Sequence, residues 1–138
     1  MKAVVFALAS MLVMTGFGEE KIDFKKDIQP VLESKCVSCH RAKYKTSSGR
    51  TKKPKGGIRV DTAEEILKEA DNGKIIVPGK PKESLFFKAI TLDKDDEDIM
   101  PPEKKGGKLD AATIKKIELW IKQGAKWPKG LVLKPKDK

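Results

Sequence analysis

The chain has few of the residues from which metal and catalytic centres are built: its 138 residues include two cysteines and one histidine. A single histidine excludes ligation of one iron by two imidazoles of the same chain. A closed zinc site would have Cys36, Cys39 and His40 but no further Cys or His as a fourth ligand. Aromatic residues are scarce as well. Beyond residue 18 only Phe24, Tyr44, Phe86, Phe87, Trp120 and Trp127 remain, too little for a large enclosed core, so the fold calls for support such as a bound cofactor. A large multidomain enzyme is excluded at this length. No constellation for acid–base or nucleophilic catalysis is present, and an enzyme is not expected.

Long apolar runs are nearly absent too. The one exception lies at the start, where Lys2 precedes the uninterrupted run from Ala3 to Met14, and Gly16 and Gly18 stand just before Glu19. That is the pattern of a signal peptide over residues 1–18. Its uncharged stretch, Ala3 to Gly18, is shorter than the roughly 20 residues a helix needs to cross a bilayer. The expectation is export to the periplasm as a soluble protein, with no transmembrane segment once the leader is cleaved. A domain over residues 19–128 and a basic tail over 129–138 would follow.

In the remainder, 29 basic residues face 20 acidic ones. Apolar positions Phe24, Ile28, Val31 and Leu32 fall on one helical face after Asp23, which is placed to cap a helix running toward Cys36. Pro30 must kink or restart that helix, because it has no amide donor. Residues 41–55 carry seven basic residues, no acid and several turn formers, and read as a loop. Gly56 to Val60 reads as a short extended piece. Asp61 or Thr62 then caps a helix through about Asp71, closed by Asn72-Gly73. A short helix is expected from Lys82 to Ile90. A stronger one starts at Asp110, places Ile114, Ile117 and Ile121 on one face with Trp120 beside it, and stops at Gly124.

What the chain does have is Cys36-Val37-Ser38-Cys39-His40, which uses both cysteines and the only histidine. This is the pattern for covalent attachment of c-type haem. Two thiols on one short turn can each add to a haem vinyl group, and the imidazole that follows is then held at the iron. An exported disulfide or a thioredoxin-type redox pair accounts for the cysteines but not for His40. The redox pair also wants a βαβ frame that this helix-rich pattern does not offer.

Met1, Met11 and Met14 belong to the leader, which leaves Met100 as the one methionine of the mature chain, in Ile99-Met100-Pro101-Pro102. The prolines restrict the backbone there and favour an extended conformation, a way to hold a thioether toward iron. Core gap-filling is the ordinary role of methionine. Beside a haem motif, His40 and Met100 read as the two iron ligands, the arrangement that raises reduction potential. Arg59 is a candidate donor to a haem propionate, as are the ring nitrogens of Trp120 and Trp127.

Phe24-x-x-Asp27-Ile28-x-Pro30-Val31-Leu32 leading into the Cys36–His40 motif, then Gly56-Gly57-Ile58-Arg59-Val60-Asp61, Val77-Pro78-Gly79-Lys80-Pro81-x-x-Ser84-Leu85, Met100-Pro101-Pro102 and Trp120-Ile121-x-x-Gly124-Ala125-x-Trp127 resemble the planctomycete-type cytochrome c domain. The likeness spans about residues 22–128. It implies an all-α, class I cytochrome c-like helical fold around one covalently bound haem c, with long loops. It also implies thioether bonds at Cys36 and Cys39, axial ligation by His40 and Met100, and electron transfer. The basic stretch 41–55 is longer than that pattern needs.

Seven like charges just after the haem motif would orient an acidic redox partner and raise the encounter rate, although such runs are often only solvated surface. Nucleic acid is not an expected partner, since export removes the opportunity and no aromatic stacking array is present. Five acids between Asp93 and Asp98 form an opposite pole before Met100. They lack the glycine and terminal glutamate spacing of a calcium loop, and their charge would favour ferric iron. The rival class is a haem sensor or ligand-binding domain in which Met100 is displaced by a small gas or a partner.

Overall fold

The computed structural model describes residues 18–136; the leader expected over residues 1–18 lies, Gly18 apart, outside them. The first helical stretch is continuous but unusual, with Phe24–Ile28 and Leu32–Cys36 wound in wide i→i+5 turns on either side of α1, Gln29–Val31. The Asp23 carboxylate accepts the Lys26 amide at 2.9 Å and caps its start. Pro30 accounts for the winding. It has no N–H to give and its ring crowds the carbonyl of Lys26, four residues back, so the helix relaxes into wider turns instead of breaking. Phe24, Ile28 and Leu32 are buried along one face.

The expected all-α architecture is not what forms. Helices account for only 38% of the structure, in four short α-helices and a few single turns, and two antiparallel two-stranded sheets accompany them. Within the stretch read as a loop, β1 (Tyr44–Lys45) pairs with β2 (Thr51–Lys52). The tip is closed by the Thr46 amide on the Arg50 carbonyl at 2.8 Å, and the Arg41 guanidinium stacks on the Tyr44 ring 3.6 Å from its centre. The helix expected to run to Asp71 is cut to α2, Ala63–Ile66. Instead of a helix stop at Asn72-Gly73 there is a hairpin: the chain turns at Asp71-Asn72, and β3 (Glu69–Ala70) pairs with β4 (Gly73–Lys74). The hairpin wins because it delivers Ile75 and Ile76 to the core, at 4% and 0% exposure.

Two further helices match the sequence more closely: α3, Leu85–Thr91, and α4, Ala111–Lys122. Asp110 caps α4 by accepting the Thr113 amide at 2.8 Å, and Gly124, at φ +102°, turns the chain out of it. The apolar face of α4 buries Ile117, Leu119, Trp120 and Ile121. It packs on the first helical stretch through Phe24, whose ring lies 4.5 Å from Trp127 and 5.8 Å from Trp120, centre to centre. An ion pair between Lys116 and Asp27 at 2.8 Å ties the same two elements. The basic tail folds back far enough to bury Leu133 in the core. Among the described residues no helix is long and apolar enough to cross a membrane.

Candidate functional site

The wide-turned helix ends at Cys36, and the motif leaves it as a tight turn in which the amides of Cys39 and His40 both reach the Cys36 carbonyl, at 3.1 and 3.0 Å. Neither thiol is in a disulfide. Burial, with Cys39 close by, pushes the Cys36 thiol up to about 12, so it stays protonated at neutral pH. Cys36 packs against the buried cluster that also receives Ile58 and Met100.

The chain returns to the motif at Ile58. Gly56 and Gly57 stand at φ +60° and +70°, a pair of left-handed positions that glycine adopts without strain. They fold residues 54–57 into one turn, and the Lys55 amide bonds to the Cys39 carbonyl at 2.9 Å. The Val60 amide then bonds to the His40 carbonyl at 2.8 Å. His40 itself donates from Nδ1 to the main-chain oxygen of Ile58 at 3.1 Å. A carbonyl can only accept, so the proton is fixed on Nδ1 and the lone pair sits on Nε2, the tautomer a metal ligand needs. Burial lowers the pKa of the ring and outweighs the main-chain contacts with Ile58 and Lys55, which raise it, so the imidazole is neutral near pH 7.

Met100 lies on a different loop, anchored by its amide to the Ala89 carbonyl in α3 at 3.1 Å, and is half-buried against the same core as Cys36. The Met100–Pro101 peptide is cis. Arg59 forks onto Asp61, Nε to Oδ1 at 2.9 Å and Nη2 to Oδ2 at 3.0 Å, and pairs with Glu65 at 3.2 Å. Two of its five N–H groups stay outside these bonds. Together with Lys43 and Lys53 it lines an open cavity of about 540 Å³ beside the motif. The two tryptophans are not propionate donors. Each indole has a single N–H, and Trp120 gives its own to the Lys126 carbonyl and Trp127 to that of Leu131, both at 2.9 Å.

A neutral His40 with its proton on Nδ1, two unpaired thiols in the turn that leads into it and a methionine on the same core form a donor set that suits haem c. The family model of Planctomycete cytochrome C matches residues 36–104, half of the chain. The chain belongs to this family. The matched stretch begins at Cys36 and takes in Arg59 and Met100, and the cytochrome c family implies haem c binding. The wide-turned helix before Cys36, and α4, lie outside it. No curated protein and no solved structure gives a significant match to the chain.

Sequence reasoning passed over Ile58 and Asp61. Ile58 contributes a main-chain atom, which no side-chain pattern can announce. Asp61 was one of two candidates to cap α2, but Thr62 takes that role, with its hydroxyl accepting the Glu65 amide at 3.2 Å, and Asp61 turns inward to 3% exposure. The available signal was the double glycine before them, which predicts a chain reversal.

Proposed function

We propose that this protein carries single electrons between redox partners in the periplasm through one covalently attached haem c. Cys36 and Cys39 would form the thioether bonds, with His40 and Met100 as axial ligands. The group, when bound, supplies an iron that cycles between ferrous and ferric states, one electron at a time. The observation that carries the reading is the bond from His40 Nδ1 to the Ile58 carbonyl, which puts the ring proton on Nδ1 and strengthens Nε2 as a ligand.

The rest of the chain has tasks that fit. The helix from Phe24 to Cys36 carries the first thiol on a core-packed element, the tight turn after it carries the second, and the turn at Gly56-Gly57 brings the chain back to hold the imidazole. Arg59, Lys43 and Lys53 surround a cavity of one charge sign, suited to the anionic carboxylates of a propionate edge. The basic hairpin of β1 and β2 gives an acidic partner a surface to approach.

The test is the visible spectrum of the exported protein, produced in a host that matures c-type cytochromes and scanned oxidised and reduced. A low-spin haem c spectrum, with the weak red band of methionine on ferric iron and an intact mass raised by one haem, is the expected result. A haem spectrum without that band overturns Met100 ligation and favours the sensor. A colourless protein from a competent host overturns the haem reading altogether.

A further inference from the structure

The segment Ile58–Asp61 clamps the end of the motif and the residues just beyond it through three hydrogen bonds. Two use the main chain of the segment: His40 Nδ1 to the Ile58 oxygen at 3.1 Å and the Val60 amide to the His40 oxygen at 2.8 Å. The third is different in kind. The Ala42 amide donates to the side chain of Asp61, Oδ2, at 3.1 Å, so one carboxylate closes the end of the clamp where a backbone ladder would otherwise fray.

That carboxylate is placed where a charge is costly. The Asp61 side chain is 4% exposed, and an ion so enclosed is unfavourable unless paired and hydrogen-bonded. The Arg59 fork meets that need, and Glu65 holds the far side of the guanidinium. The main-chain oxygen of Asp61 meanwhile accepts the Leu133 amide at 2.8 Å, and Leu133 is 2% exposed. Asp61 therefore joins the motif, the Gly56–Asp61 segment and the C-terminal chain at one point.

We propose that Asp61 is a positioning residue for His40. By holding Ala42 and the Arg59 fork, it fixes the distance between the Ile58 carbonyl and the imidazole, and so sets how strongly that carbonyl draws on the Nδ1 proton. The Asp61 carboxylate bonds to Ala42 and Arg59 and makes no hydrogen bond to the ring. The inference rests on the haem reading above, because the strength of the Nδ1–H bond matters to a ligated imidazole: a tighter bond makes the ring a stronger donor and favours ferric iron.

The experiment uses the haem-loaded protein and the variants Asp61→Ala and Asp61→Asn, with nuclear magnetic resonance of the diamagnetic ferrous state and a redox titration. In Asp61→Ala the Ala42 amide should exchange about tenfold faster or more, as loss of a bond to a charged acceptor dictates. The His40 Nδ1–H resonance should move upfield and the midpoint potential should rise. Asp61→Asn keeps an oxygen for Ala42 and should return both the resonance and the potential toward the parent values. A loaded Asp61→Ala protein with the parent resonance and potential overturns the proposal, whatever its melting temperature. Should Asp61→Ala fail to fold, the parent protein still decides: Ala42 N–H and His40 Nδ1–H should exchange through one common opening, and independent rates overturn the clamp. A parent protein that matures without haem sinks the haem reading first and this proposal with it, whereas a loaded parent with an unresponsive variant sinks this proposal alone.

Discussion

His40 gives its Nδ1 proton to the main-chain oxygen of Ile58, 3.1 Å away, and not to any side chain. The bond should therefore survive changes in the Ile58 side chain while the core beneath it suffers. Ile58→Ala is expected to lower stability by about 2 kcal/mol, the lower end of the range for isoleucine, because Ile58 is half-buried. Its midpoint potential should match the parent's. Denaturant titration and redox titration of the same sample separate the two effects, and a potential that rises as stability falls would mean that the side chain, not the carbonyl, holds the ring.

Met100 and His40 sit on separate parts of the chain, the loop beyond α3 and the turn after the wide-turned helix, so removing one should leave the other in place. Met100→Ala is expected to keep its covalent haem and lose the red methionine band. Its potential should fall by on the order of a hundred millivolts, within the roughly 0.8 V that axial ligands span. Carbon monoxide should bind the ferrous variant at neutral pH and not the parent. An unchanged spectrum and potential would show that Met100 only fills the core.

Asp27 is held below the ordinary carboxylate range by the Lys116 ammonium, which hydrogen-bonds it at 2.8 Å, and by the Asp23 amide at 3.0 Å. A carboxylate with a depressed pKa in the folded state adds stability that is present above its unfolded value, near 3.8, and is lost as the pH falls through the lower folded value. Asp27→Asn should thus reduce stability at pH 7 and flatten the loss of stability below about pH 4. Melting curves from pH 2 to 7 test this, and parallel curves for variant and parent would remove Asp27 from the acid response.

The parts of the fold legible from the sequence are those fixed by local chemistry. Asp110 with the Ile114, Ile117, Ile121 spacing and Gly124 gives α4 almost to the residue, and Asp23 caps its helix as expected. The Cys36–His40 motif with the lone Met100 gives the candidate donor set. What was not legible depends on competition or on the main chain. The stretch Asp71-Asn72-Gly73 can stop a helix or form a hairpin, and only the burial of Ile75 and Ile76 decides between them. The wide winding about Pro30 requires knowing that packing holds the helix together across a proline. Trp120 and Trp127 carry free donors in sequence, and only the fold shows both spent on nearby carbonyls.

The hairpin of β1 and β2 concentrates Lys45, Arg50, Lys52 and Lys53 on exposed backbone directly after the motif, while the acids of residues 93–98 lie in an exposed loop before Met100. If electrons leave near the motif, an anionic one-electron reagent should react faster than a cationic one of similar driving force. The triple variant Lys45→Glu, Arg50→Glu, Lys52→Glu should slow the anionic reagent about tenfold or more at low salt, because steering by a charged patch changes association rates by factors of roughly 10 to 1,000. At about 1 M salt the Debye length shrinks to ~3 Å and the difference should vanish. These side chains are solvent-exposed, so melting temperature should barely move. Stopped-flow traces across a salt series provide the check, and equal rates for variant and parent at low salt would place the electron's exit away from the hairpin.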